Sequence, residues 1–166
     1  MTAQSNVVVM EAPRSLSEEY FRGLRLVERL HRQLLDVIKD ELDRQGRTDI
    51  NSVQALLLFN IGEDELTAGE LRTRGHYLGS NVSYNLKKLV ESGYIQHQRS
   101  SADRRSVRVK LSADGHAVRA LLEDMFGRQL SALEPVARLD AESFGEVNDA
   151  LMRLERFWDD HIRYRL

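Results

Sequence analysis

Apolar residues recur at intervals of three and four along most of this chain of 166 residues, the spacing of one face of an α-helix. The first such stripe extends from Tyr20 to Leu42. Ser15 and Glu18 form a capping box before it, and Gly46 follows it in the position of a helix-ending glycine. The pattern therefore predicts one long amphipathic helix at the start of the chain.

Two shorter helices are predicted next. Asn51 and Gln54 form a capping pair ahead of a strongly apolar helix that should extend from residue 52 to about residue 60. Thr67 and Glu70 form another capping box, which should open a short helix that stops at residue 75.

A further helix should begin at Gly79 or Ser80, either of which can cap it, and end at Gly93. Its apolar positions repeat at helical spacing: Val82, Leu86, Leu89 and Val90. Two strand-like segments follow at residues 94–99 and 106–111, and the polar stretch between them should make them a hairpin. Two more amphipathic helices should follow, one beginning after Ser112 and one near Asp140, with Pro135 between them.

Helix, short helix, tight turn, helix and two-stranded hairpin is the order of a winged helix-turn-helix. We therefore predict a mainly α fold with a small β-hairpin wing, in which long N- and C-terminal dimerisation helices flank the winged helix-turn-helix lobe. The predicted domains are an N-terminal arm at 1–14, a dimerisation helix at 15–46, the DNA-binding lobe at 51–112 and C-terminal dimerisation helices at 113–166.

Charge is distributed unevenly along the chain. The net charge is −2, but residues 72–110 carry nine basic and two acidic side chains, a local balance of +7 that leaves −9 for the remainder. Clustered lysine and arginine attract phosphates and release counterions on binding. The middle segment is therefore predicted to contact a polyanion. A basic face that is merely solvated remains an alternative on charge alone.

Composition excludes several other classes. With no cysteine, the chain has no disulfide, thiolate metal ligand or thiol redox switch, which fits a cytoplasmic location. No segment is long and apolar enough to span a bilayer, and the start of the chain does not resemble a secretory signal. The five histidines are not at metal-ligand spacing, and no nucleotide or acyl-transfer motif is present. We expect neither an enzyme nor a cofactor.

The second helix of such a pair enters the major groove, and the hairpin reaches the minor groove or the backbone. The polar residues off the buried stripe are the predicted groove contacts: Ser80, Asn81, Ser83, Tyr84, Asn85, Lys87 and Lys88. Thr67, at the start of the first helix of the pair, belongs to the same predicted set. In the hairpin the predicted contacts are Arg99, Arg104 and Arg105, with Asp103 orienting Arg105 through a charge-assisted bond. Taken alone, the loop could instead be a surface loop with incidental charges.

The segments that carry these predicted contacts resemble those of the MarR family of bacterial regulators. The resemblance runs through Leu66-Thr67-Ala68-Gly69-Glu70-Leu71 and Gly93-Tyr94-Ile95 to the wing segment Asp103-Arg104-Arg105-Ser106-Val107-Arg108-Val109-Lys110-Leu111-Ser112-x-x-Gly115. The last segment matches the family's wing signature, with serine in place of threonine. The turn at residues 74–80 departs from the family pattern and resembles its LdtR-type branch.

The resemblance implies a two-fold homodimer that binds pseudo-palindromic double-stranded DNA, with repression as the default outcome. The apolar stripes of the terminal helices, too long for one small lobe to cover, independently favour the dimer. The resemblance also implies release by a small aromatic effector bound between the dimer helices and the lobe. The expected wall residues are Leu34, Ile38, Leu56 and Phe59, for which ordinary core packing is the alternative reading. A winged helix that binds a protein partner without DNA is the alternative function.

Overall fold

The computed structural model describes residues 14–75, 79–99 and 107–164. The chain divides into two compact units, residues 1–60 and residues 61–166. The predicted domain boundaries remain a prediction, because the division into compact units does not test them.

The first unit begins with α1, Leu16–Arg44. Its predicted capping box is confirmed, because the Ser15 hydroxyl accepts from the Glu18 backbone and the Glu18 carboxylate accepts from the Ser15 backbone. Gly46 ends the helix at φ +66°. There the backbone N–H of Gly46 donates to Asp43, and that of Arg47 donates to Leu42. This pair of hydrogen bonds is a Schellman motif, which needs the left-handed conformation that glycine adopts freely.

The second helix of this unit, α2, is Ser52–Ile61. Asn51 and Gln54 cap it reciprocally, as predicted, with the Gln54 backbone N–H donating to the Asn51 side chain over 2.9 Å. Leu57 and Leu58 are at most 2% exposed. The high apolar content of α2 therefore reflects burial on more than one face.

The second unit contains a winged-helix arrangement. Its elements are β1 (Leu66–Thr67), α3 (Ala68–Gly75), α4 (Gly79–Glu91), β2 (Ile95–Arg99) and β3 (Val107–Leu111). The strands form an antiparallel sheet in the order β1-β3-β2. Ile95 pairs with Leu111 and Arg99 with Val107, which confirms the predicted hairpin.

Two details differ from the expectations. The sheet has a third strand, because Leu66 and Thr67 pair with Val109 and Arg108. A two-residue strand is too short to show alternation of apolar and polar positions, so the sequence pattern did not indicate it. Gly79 and Ser80 do not cap α4 from outside, because they are its first two residues.

The end of the lobe is tied to the next helix at the residues around Ser112. The Ser112 hydroxyl donates to the Gly93 carbonyl over 2.6 Å and accepts from the Gly115 backbone, while the Ser112 backbone donates to Tyr94. A Cβ on Gly115 would collide with the Tyr94 carbonyl oxygen. The Ser-x-x-Gly spacing therefore permits a close approach between the start of α5 and the end of α4.

The last part of the chain is α5 (Ala113–Ala132), a π-helical turn at Leu133–Ala137 that contains Pro135, and α6 (Ala141–Tyr164). The first half of α5 contributes Val118, Leu122 and Met125 to the core. In α6, by contrast, no described residue is buried.

These elements confirm the predicted fold class, a mainly α chain with a small antiparallel wing sheet. Within the three described ranges, no helix combines the length and the apolar character that crossing a membrane requires.

Candidate nucleic-acid interface

Helix α4 has one buried face and one exposed face. Val82, Leu86 and Leu89 are 1–5% exposed and anchor the helix in its lobe, as the stripe predicted. At 100° per residue, Tyr84 lies almost opposite these three positions, and its side chain is 62% exposed. Tyr84 is therefore at the centre of the face that a groove would meet.

The predicted contacts on this helix differ in accessibility. Asn81 and Ser83 are exposed, whereas Asn85 is half-buried on the flank of the helix. The Asn85 amide donates to the Asn81 carbonyl over 2.9 Å. This bond uses one of the two amide N–H donors and holds the Asn85 side chain against its own helix, so the exposed Asn81 is the better placed of the two asparagines. Ser80 is in the first turn of α4, but its side chain lies outside the described residues.

The two lysines of α4 share one acidic partner. Lys88 Nζ lies 2.9 Å from one Glu91 carboxylate oxygen, and Lys87 Nζ lies 3.8 Å from the other. The hydrogen bond and charge of Glu91 raise the pKa of Lys88, and the bond from Lys88 lowers the pKa of Glu91. Both lysines remain exposed to solvent beside this carboxylate.

The wing is described only in part. Arg99 ends β2 opposite Val107, and its side chain lies outside the described residues. The predicted tip contacts Asp103, Arg104 and Arg105 also lie outside them. At the base of the wing, Arg108 donates to the Glu65 carbonyl over 3.4 Å.

Thr67 has a structural role in addition to its predicted DNA contact. Its hydroxyl accepts from the Glu70 backbone over 3.1 Å, and its own backbone N–H donates to the Glu70 carboxylate over 2.7 Å. It also pairs with Arg108 across the sheet. Thr67 therefore both caps α3 and holds the third strand against the wing.

The sequence pattern indicates only a turn at residues 62–65, whereas in the structure the acidic side chains of this loop lie beside basic side chains of the wing and α5. Glu65 lies 3.9 Å from Lys110 of β3. Glu63 pairs with Arg119 and lies 3.6 Å from the His116 ring. These partners are about fifty residues apart in the chain, so no local pattern signals them. The loop ties β3 and α5 to the start of the lobe.

The predicted effector wall lies within the first unit. Ile38 is fully buried, whereas Leu34, Leu56 and Phe59 are half-buried. A separate cavity of about 670 Å³ lies where α5 meets α6, lined mainly by apolar side chains. Its lining includes Phe126, Leu130, Leu133 and Phe144. In the described part of the chain, no three histidine or acidic residues cluster as a metal site would require.

Comparison with known proteins agrees with this geometry. A model of the MarR family matches residues 48–106. The exopolysaccharide II synthesis transcriptional activator ExpG of Rhizobium meliloti is 39% identical over 145 residues, covering 87% of this chain and 74% of that protein. The match thus extends well beyond the DNA-binding lobe.

Solved structures share the fold at lower identity. Streptococcus pneumoniae FabT in complex with DNA matches with a TM-score of 0.68 and 20% identity, over 85% of this chain and 98% of that one. Staphylococcus aureus MarR in complex with salicylate and kanamycin matches with a TM-score of 0.67 and 19% identity, over 86% and 92%. The sequence match to ExpG and the family model together show that the chain belongs to the MarR family of DNA-binding transcription regulators, which are not enzymes.

Proposed function

We propose that the protein is a homodimer that regulates transcription by binding pseudo-palindromic double-stranded DNA, with α4 in the major groove and the β2–β3 hairpin at the minor groove. The observation that carries this proposal is the division of α4 into two faces. Val82, Leu86 and Leu89 fix the helix to its lobe, while Asn81 and Tyr84 project from it. FabT, a protein of the same fold, has been crystallised with DNA.

The dimer is supported by apolar surface that the described residues leave exposed. In α1, Tyr20, Val27 and Leu30 of the predicted stripe are 39–59% exposed, and none of the described residues of α6 is buried. Contiguous apolar surface of this kind marks an interaction site in a stable protein. A two-fold pair would place two copies of α4 about one DNA turn apart.

The test begins with selection of a preferred site from a random duplex library, followed by binding measurements at several salt concentrations. We expect Asn81→Ala to weaken binding to the selected site by about 1–3 kcal/mol. The dependence of affinity on salt concentration, the salt slope, should stay unchanged, because a base contact carries sequence information without releasing counterions. Asn148→Ala, which changes an exposed asparagine of α6, is the matched control and should alter neither quantity.

The wing is tested by combining Asn81→Ala with Arg105→Ala. Loss of binding in the double variant supports the proposed interface. Normal binding, or a wild-type protein that binds no duplex at low salt, would instead favour the protein-interaction module.

A regulator bound at such a site can either repress or activate transcription. Repression is the default for a dimer that blocks polymerase, and we keep it as the first proposal. Activation is the second, because the relative with 39% identity is named a transcriptional activator. A reporter carrying the selected site decides between them: deletion of the gene raises expression under repression and lowers it under activation.

Release by a small aromatic effector is the last part of the proposal, supported by the salicylate-bound structure of a MarR protein with the same fold. Salicylate is therefore the probe. It should weaken DNA binding in the wild type and in Phe144→Ala, which alters the separate α5–α6 cavity, but not in Phe59→Ala. The opposite pattern would move the effector site to that cavity. No response in any variant would remove salicylate as an effector.

A further inference from the structure

We propose that Glu91 is a specificity-determining residue, which limits the affinity of α4 for DNA of arbitrary sequence by holding Lys87 and Lys88. This inference rests on the proposed function, since it concerns the same helix. It adds a residue that opposes binding to the residues that favour it.

The geometry divides one carboxylate between two lysines. One Glu91 oxygen faces Lys88 Nζ at 2.9 Å, and the other faces Lys87 Nζ at 3.8 Å. The three side chains are 46–75% exposed, so phosphates can reach both lysines, but Lys88 must exchange its hydrogen bond to this carboxylate and Lys87 a longer ion pair.

Helix stability does not account for an acid at this position. Glu91 is the last residue of α4, where the negative end of the helix dipole disfavours a carboxylate. Both pairs also have lysine N-terminal to glutamate, the weaker of the two orientations for such pairs. Asparagine or lysine would suit this helix end better, so the position of Glu91 is explained more readily by its effect on the lysines.

The same helix carries the groups that a specific site would engage. Tyr84 is two turns before Glu91 on the same exposed face, and Asn81 is one turn before Tyr84. On DNA of arbitrary sequence, phosphate contacts supply most of the affinity, and those made by Lys87 and Lys88 must replace a Glu91 contact. On a matched site, base contacts add affinity that Glu91 does not oppose. Where base contacts fix the register of α4, the matched complex depends less on Lys87 and Lys88, and the carboxylate then weakens binding to arbitrary sequences more than binding to the correct one.

The experiment compares Glu91→Gln with wild type on two labelled duplexes of about 30 base pairs, long enough for two half-sites: one of mixed sequence and one carrying the selected site. We expect affinity for the mixed duplex to rise about tenfold at low salt and its salt slope to steepen by about one to two, because each protomer regains a phosphate contact. Affinity for the selected duplex should rise less than about threefold, so the ratio between the two duplexes falls.

Two controls separate the mechanism from a change in net charge. Glu146→Gln removes the same charge from an exposed position of α6 and should leave the ratio unchanged. In a Lys87→Gln, Lys88→Gln background, Glu91→Gln should lose most of its effect, because its partners are gone.

The inference is overturned if Glu91→Gln leaves the ratio unchanged while wild type binds both duplexes, or if its effect is the same without the lysines. In that result the proposed function stands. A wild type that binds neither duplex contradicts the proposed function and, with it, this inference.

Discussion

Helices α4 and α6 carry the same kind of apolar stripe in opposite environments. In α4, Val82, Leu86 and Leu89 are almost completely covered. In α6, Leu154 is half-buried and eight other large hydrophobic residues remain 37–75% exposed: Phe144, Val147, Leu151, Met152, Phe157, Trp158, Ile162 and Tyr164. Hydrophobic periodicity indicates that a helix has a face to bury, but not which surface will cover it.

The difference separates two kinds of function within one chain. The core of the second unit supports α4, whose opposite face is exposed among the described residues. The apolar face of α6 is only partly covered by the described residues, which is why we propose that a second copy of the chain covers it. In the proposed function, recognition and pairing use helices with the same pattern but different amounts of intramolecular packing.

Removing a core leucine from α4 should have the largest effect. We expect Leu89→Ala to lower the free energy of unfolding by about 2–5 kcal/mol, because the residue is 1% exposed and its loss leaves a cavity. Urea unfolding at low protein concentration measures it, with Leu151→Ala of α6 as the matched variant. Equal losses for the two variants would contradict the contrast between the helices.

A charge on the exposed face of α6 tests the proposed dimer. Leu151→Asp should weaken self-association by about 2–4 kcal/mol, because an unpaired carboxylate would be buried at the interface. Sedimentation measures the change, and Asp149→Asn on the same helix provides a comparison at an exposed polar site. A wild type that is monomeric at every concentration would refute the dimer, whatever the variant does.

Adding a single methyl group at each of two glycines of α5 should distinguish the tightly packed start of that helix from its open part. Gly115→Ala should cost about 1–3 kcal/mol, because its Cβ would meet the Tyr94 carbonyl and lie 3.2 Å from Leu111 Cβ. Gly127→Ala, later in the same helix and with nothing within 4 Å, should instead stabilise by about 0.5–1 kcal/mol. Opposite signs are expected in thermal unfolding, and equal signs would contradict the close approach.

The smallest expected effect is a pH dependence at the start of α6. Hydrogen bonds from the Ser143 side chain and backbone lower the pKa of Asp140. A carboxyl group with a lowered pKa stabilises the folded state at pH values above its ordinary pKa, and that stability is lost as the pH falls through the lowered pKa. The substitution Asp140→Asn keeps a capping acceptor but removes the charge. The free energy of unfolding of the wild type should therefore fall relative to that of the variant as the pH is lowered. A constant difference would remove this role.

Much of the local structure could be predicted from short-range pattern. The capping pairs Ser15/Glu18 and Thr67/Glu70 and the ending glycines Gly46 and Gly93 are where the sequence placed them, because each involves residues within a few positions of one another. The buried stripe of α4 was predicted for the same reason. The predicted DNA contacts, the effector wall, the LdtR-type branch and the cytoplasmic location remain predictions.

Long-range contacts were not predictable. The link from Glu63 to Arg119, the third strand that pairs with β3, and the packing of Gly115 under Tyr94 all join residues that are far apart in sequence or lack periodicity. The pairing of Lys87 and Lys88 with Glu91 is local, but its proposed effect on DNA binding depends on the exposure of that face of α4, which only the structure shows. The π-helical turn around Pro135 likewise replaces the simple break that proline indicated.

By itself, the sequence determined where the helices and strands lie and the basic character of the middle segment, because capping, periodicity and charge are local properties. Only the tertiary structure decided which apolar stripe is buried within the lobe and which remains open. That choice depends on the total surface that one chain can bring together, and no local pattern records it.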